Sequence, residues 1–136
     1  CESTYGDRNH KSLKDTIKEF REIILKTLNR GGNVIIPSFA IERTQEVLCA
    51  LKEMYKEGLL PKSTKIFLDS PMAIKATNLY VKYHRGLSKK CNKFLKIDGH
   101  IFEFPLLNYT TKVEQSKKIN NIKSGAIIIA GSGMCN

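Results

Sequence analysis

Short, apolar, β-branched runs alternate along this chain with longer stretches of helical period, and few folds satisfy that pattern. From Lys11 to Arg30 the apolar residues Leu13, Ile17, Phe20, Ile24 and Leu28 recur at helical spacing, with Lys and Glu between them. Ser12 can cap the start, with Asp15 placed for a box-like arrangement, and Gly31-Gly32 supplies the left-handed backbone that ends a helix. Val34-Ile35-Ile36 then reads as a strand buried on both faces, because the run is continuous rather than alternating. A second helix is predicted from about Glu42 to Lys56, a strand over Lys65–Leu68, and a third helix opened by Pro71 and running towards Tyr83. Phe102 to Tyr109 reads as an irregular third strand, and Pro105 inside it suits an edge. Lys112–Asn120 is a polar helix and Ala126–Ala130 the last strand. Strands separated by helices imply a parallel sheet with right-handed crossovers. The expected class is therefore α/β, a Rossmann-like parallel sheet with helices on both faces.

The chain has 136 residues, enough for one domain with a real core and no staples. Lys and Arg outnumber Asp and Glu by 23 to 13, a formal charge of +10, which favours polyanions such as nucleic acid. A cluster of that charge, Lys89, Lys90, Lys93 and Lys96, falls in a segment from Gly86 to Gly99 that reads as a short basic helix followed by a loop. It serves either as a guide for nucleic acid or as a solubilising face. No apolar run approaches a membrane span and nothing at the start resembles a signal peptide, so no membrane partner is expected. Cys1, Cys49, Cys91 and Cys135 are scattered without metal-ligand spacing, and they read as free thiols in a reducing cytoplasm.

Ligands of open parallel sheets bind beyond the carboxyl ends of the strands. Each strand here exits into hydroxyl-bearing residues: Ser38, Ser70, Thr110 with Thr111, and Ser132. Taken one at a time, such residues are the favoured N-caps of the helices that follow. As a row along one edge of a basic protein, they read as a rim for the phosphates of an extended strand. Arg43 and Lys75, just inside two of the following helices, would add full charges, and Arg43 would instead pair with Glu46 if its role is only structural. Gly131-Ser132-Gly133 allows close backbone approach, but no dinucleotide fingerprint or P-loop is present. His10, His84 and His100 belong to no metal motif, and His10 reads as a surface or capping residue.

Three segments in order give a sharper comparison. Glu2-Ser3-Thr4-Tyr5-Gly6-Asp7-Arg8, Ile35-Ile36-Pro37-Ser38-Phe39-Ala40 with Arg43-Thr44-Gln45-Glu46, and Ile129-Ala130-Gly131-Ser132-Gly133-Met134 together resemble the β-CASP domain. That domain is the RNA-handling insert of metallo-β-lactamase-fold nucleases, here of the cleavage-and-polyadenylation-nuclease-like bacterial and archaeal kind. The resemblance implies that residues 1–136 are most of a β-CASP domain, with neighbours in the metallo-β-lactamase domain lying outside this chain. It implies a zinc-dependent ribonuclease as parent, two zinc ions on the parent's metallo-β-lactamase domain, and no cofactor in this piece, which alone would be inert. The implied partners are single-stranded RNA, or DNA, and the parent's own metallo-β-lactamase domain; a homodimer is also compatible. Glu2 corresponds to the acidic residue that hydrogen-bonds a histidine near the metals and orients it, the partner histidine lying outside this chain. Ser38, Arg43, Ser70, Lys75, Ser132 and Gly133 are the candidate phosphate-binding residues. Relatives often carry Gly where Glu42 stands and Ala where Gly131 stands. Two other readings remain: a nucleic-acid-binding module with no catalytic parent, and a small-molecule-binding Rossmann-like regulatory domain with Asp69 and Ser70 as its polar contacts.

Overall fold

Helix α1 (Leu13–Asn29) begins where Ser12 caps it: Ser12 Oγ accepts from the Asp15 amide at 3.1 Å and donates to the Asp15 carboxylate at 2.6 Å. Gly31, at φ +76°, lets the chain turn back directly after the helix. Then follow β1 (Val34–Pro37), α2 (Arg43–Lys56), β2 (Lys65–Asp69), α3 (Pro71–Lys82), α4 (Lys89–Asp98), β3 (Leu107–Tyr109), α5 (Val113–Ile119) and β4 (Ala126–Ala130). This is a computed structural model, and it describes residues 4–84 and 89–131.

The four strands form one parallel sheet in the order β1-β4-β2-β3. The register aligns Ile36, Ile129, Leu68 and Tyr109 across the sheet, and Ile35, Ile128, Phe67 and Asn108 one residue before them. Because side chains alternate along a strand, these two rows lie on opposite faces. The first face is the core: Ile66, Leu68, Ile127 and Ile129 are fully buried against Ile24 and Leu28 of α1 and Leu48, Leu51 and Met54 of α2. The crossovers β1→β2 and β2→β3 run in one direction and β3→β4 runs back. Right-handed connections therefore set α5 on the face opposite α2. Ser116 of α5 donates to Asp69 at 2.8 Å, and Asp69 shares its face with Phe67, in agreement with that placement.

Helices thus lie on both faces, but unequally, and this corrects one expectation. Val34–Ile36 is a strand, yet Ile35 is 67% exposed rather than buried. Strand β1 is at the sheet edge, and the short α5 lies towards the other side of the second face. A continuous apolar run specifies a strand without saying which of its faces is covered. Pro37 fits the edge as well. The Ser38 amide bonds Ala130 on β4 at 2.9 Å, so the neighbouring Pro37 nitrogen points to the outer side, where no ladder bond is forfeited.

The third strand is shorter than its sequence pattern, covering only Leu107–Tyr109. Ile101, Phe102 and Phe104 precede it in irregular backbone and are core residues. Lys52 is buried on α2, donates to the His100 carbonyl and lies 5.1 Å from the Phe94 ring centre, fastening this segment to the helix. Arg21 of α1 forks onto Glu57 at 2.6 and 3.0 Å and reaches Glu53 at 2.9 Å, clamping α1 to α2. Cys49 is buried and disulfide-bonded, a correction to its reading as a free thiol. Spacing along a chain does not reveal which thiols folding will bring to bonding distance.

Candidate nucleic-acid interface

Parallel strands deliver all four carboxyl ends to one edge, so the exits stand in the spatial order Ser38, Gly131, Ser70, Thr110. At the usual interstrand spacing the row is about 14 Å long. The expectation that Ser38, Ser70 and Thr110 share one sheet edge agrees with this topology. Glu2, Ser132 and Gly133 lie outside the described residues.

The hydroxyls of this row face inward. Ser38, Ser70 and Thr110 are all buried. Ser70 Oγ accepts from the Ala73 amide at 3.2 Å and so caps α3, with Pro71 beside it in the first turn. Thr110 donates to the Leu68 carbonyl at 2.7 Å, continuing the β3–β2 pairing past the strand end. Ser38 Oγ lies 3.1 Å from Thr44 Oγ1, which also bonds the Phe39 carbonyl at 2.7 Å. In this conformation the three hydroxyls organise the rim from beneath.

What the rim shows to solvent is different. Arg43 is 67% exposed and bonds Glu46 at 2.5 Å, one turn along α2. Lys75 is exposed on α3. Phe39, Ile41 and Met72 are exposed apolar side chains in the segments that follow β1 and β2. The sequence reading did not single out these three. The available signal was their position immediately beyond strands that end at a ligand-binding edge. Asp69 accepts from Ser116 at one carboxylate oxygen, which ties the end of β2 to α5. Surface depressions of about 530 and 310 Å³ open between α1 and α2 and between α2 and α4, and neither is lined by rim residues. Among the described residues no group of three or more His, Cys, Asp or Glu side chains could hold a metal ion. No helix among them is long and apolar enough to cross a membrane. Elsewhere, Tyr5 meets the His10 ring edge-on at 5.4 Å. Lys93 and Lys96 of the basic segment are exposed on α4, and the side chains of Lys89 and Lys90 lie outside what the structure describes.

The start of α2 is strained. Glu42 has φ 70° and ψ −67°, and the Arg43 amide bonds the Ile41 carbonyl at 2.9 Å across it. That is a γ-turn of the rarer hand, costly for a residue with a side chain. Glu42 makes no side-chain capping bond in return. Glu42→Gly is accordingly expected to stabilise the fold by about 1 kcal/mol, since relief of about 1–3 kcal/mol of strain exceeds glycine's entropic penalty of about 0.5–1 kcal/mol. Urea unfolding should show a higher midpoint at an unchanged slope; a lower midpoint would mean that the turn is not strained.

A Rossmann-like parallel α/β layer with a ligand-type rim is the class defined by this geometry. Residues 44–136 match the Beta-Casp domain family, and the chain belongs to that family. It is 39% identical to Ribonuclease TTHA0252 of Thermus thermophilus over 98% of this chain and 30% of that protein. Transcription termination factor FttA of Methanosarcina mazei is 33% identical over 99% of the chain and 21% of its own length. RNase aCSPSF2 of Saccharolobus solfataricus is 33% identical over 62% of the chain and 20% of its own length. The chain thus spans less than a third of these relatives.

Proposed function

We propose that this chain is the RNA-clamping β-CASP domain of a zinc-dependent metallo-β-lactamase-fold ribonuclease. The observation that carries this reading is the 39% identity, across 98% of the chain, to a protein named a ribonuclease. A net charge of +10 supports it, because affinity for nucleic acid is dominated by phosphate neutralisation. The described residues do not fit a metal site, so phosphodiester hydrolysis is not assigned to them. Their task is to bind and orient the strand. Arg43 and Lys75 neutralise phosphates from the helix starts, while Ser38 and Ser70 hold the loops from below. Ser132 and Gly133 would extend the rim beyond β4, and Glu2 would orient a histidine outside this chain. Contacts of this kind read the backbone and not the bases, so sequence preference should be weak.

The chain should bind a labelled single-stranded oligouridylate at low salt, with affinity falling steeply as salt rises. Arg43→Ala should weaken binding about fivefold, the equivalent of about 1 kcal/mol for one charge-assisted contact. The modest size reflects release of Arg43 from Glu46 before it can serve a phosphate. An unchanged affinity and salt slope would reduce Arg43 to its ion pair. Absence of RNA binding at any salt would remove the clamp itself.

A further inference from the structure

Phe39 is held outward by the backbone on either side of it. It is 74% exposed, yet the backbone around it is pinned at nearly every step. The Ser38 amide bonds Ala130 at 2.9 Å; the Phe39 carbonyl accepts from the Thr44 amide at 3.2 Å and the Thr44 hydroxyl at 2.7 Å. The Ala40 carbonyl accepts from Gln45 Nε2 at 3.1 Å, and the same amide group bonds the Thr77 hydroxyl on α3 at 2.9 Å. Ser38 and Ala40 are buried, whereas the alternating Phe39 and Ile41 point outward. Burial of such a ring would gain about 1.5–3 kcal/mol, so a loop held this firmly in the opposite sense forgoes a substantial stabilisation.

From this geometry we infer that Phe39 is a stacking platform for an unpaired nucleobase of the bound strand, an inference that rests on the RNA-clamp reading. The platform stands at the carboxyl edge of the sheet, where strands of this class present their ligands. Its charges select the part of the strand it takes. Beside the ring, Glu42 adds a negative charge at the turn and Arg43 is held by Glu46 until a phosphate releases it, so the ring face itself does not attract a phosphate. A neutral base meets no such penalty and can lie against the ring, with Ile41 exposed two residues along. Phosphates are then left to Arg43, once released from Glu46, to Lys75 and to the wider basic surface, and the base to Phe39. Stacking of this kind tolerates any base, in keeping with weak sequence preference.

The chain contains no tryptophan, so Phe39→Trp places a single fluorescent indole at the platform. Two titrations of the 136-residue chain test the inference, one following indole emission and the other the polarisation of labelled RNA. Oligouridylate should quench the introduced indole in step with binding. An abasic oligomer of equal length should bind more weakly and leave the indole emission unquenched. Phe39→Ala should weaken binding of oligouridylate about 5- to 150-fold, from about 1–3 kcal/mol per stacked base, and leave binding of the abasic oligomer unchanged. RNA binding with a silent indole and a neutral Phe39→Ala would overturn the platform while leaving the clamp standing. No RNA binding would overturn both. Emission that changes with protein concentration but not with RNA would make the patch a contact between protein surfaces and overturn the inference.

Discussion

Phe102→Ala is expected to lower the unfolding free energy by about 3–5 kcal/mol, whereas Ile35→Ala should change it by less than about 0.5 kcal/mol. Phe102 is 0% exposed, in irregular backbone between α4 and β3, and belongs to the cluster that joins α2 to the core face of the sheet. Truncation there loses the transfer free energy of a whole ring and leaves a cavity that packed helices collapse only partly to fill. The loss would be a large share of the roughly 5–15 kcal/mol by which a typical domain is stable. Ile35, in the middle of a regular strand, is 67% exposed and has little to lose. Urea unfolding of both variants, at constant slope, measures the contrast. A mild Phe102→Ala would mean that the segment 101–104 does not seal the core as the structure has it.

That pair also marks how far the sequence could be read. The strands, the helices and their parallel order follow from local periodicity, and Ser12 capping α1 through Asp15 follows from residues three apart. Burial does not follow in the same way. Val34–Ile36 carries the apolar run of a doubly covered strand, but coverage depends on where β1 falls in the sheet and where the crossover helices land. Phe102 reads as the start of an irregular strand but lies in irregular backbone ahead of β3, and its burial arises from α2 and the sheet. The rim divides similarly. Topology fixes that Ser38, Ser70 and Thr110 share an edge, and this was legible. Whether their hydroxyls face a ligand or the fold depends on bonds to Thr44, Ala73 and Leu68 that strand and helix assignment alone cannot supply. Phe39 lies within a recognisable motif, but its exposure becomes visible only once Ala40 and Ser38 are seen buried on either side.

Gly131→Ala is expected to cost about 2–3 kcal/mol, at the upper end of what overpacking usually costs. A Cβ on Gly131 would stand 2.2 Å from Ser70 Oγ and 2.4 Å from Ser70 Cβ, and no rotation of the hydroxyl relieves the second contact. The remaining neighbour, Ala73 Cβ at 3.4 Å, is ordinary packing. The remedy is therefore specific. Ser70→Gly removes both obstructing atoms and, because glycine is a fair N-cap, should cost α3 only a few tenths of a kcal/mol by itself. In that background Gly131→Ala should be nearly neutral, giving a coupling energy of about 2 kcal/mol between positions 70 and 131. Equal penalties in the two backgrounds would show that the ends of β4 and β2 are not wedged together. The expected coupling bears on the rim because Gly131 stands between the Ser38 and Ser70 exits. A Ser70 that caps α3 and also walls off Gly131 fixes the β4 exit against the start of α3. Lys75 on that helix and any contact made beyond β4 are then carried on a single rigid edge. Related chains with alanine at position 131 should accommodate it by a changed side chain at position 70 or a shifted start of α3.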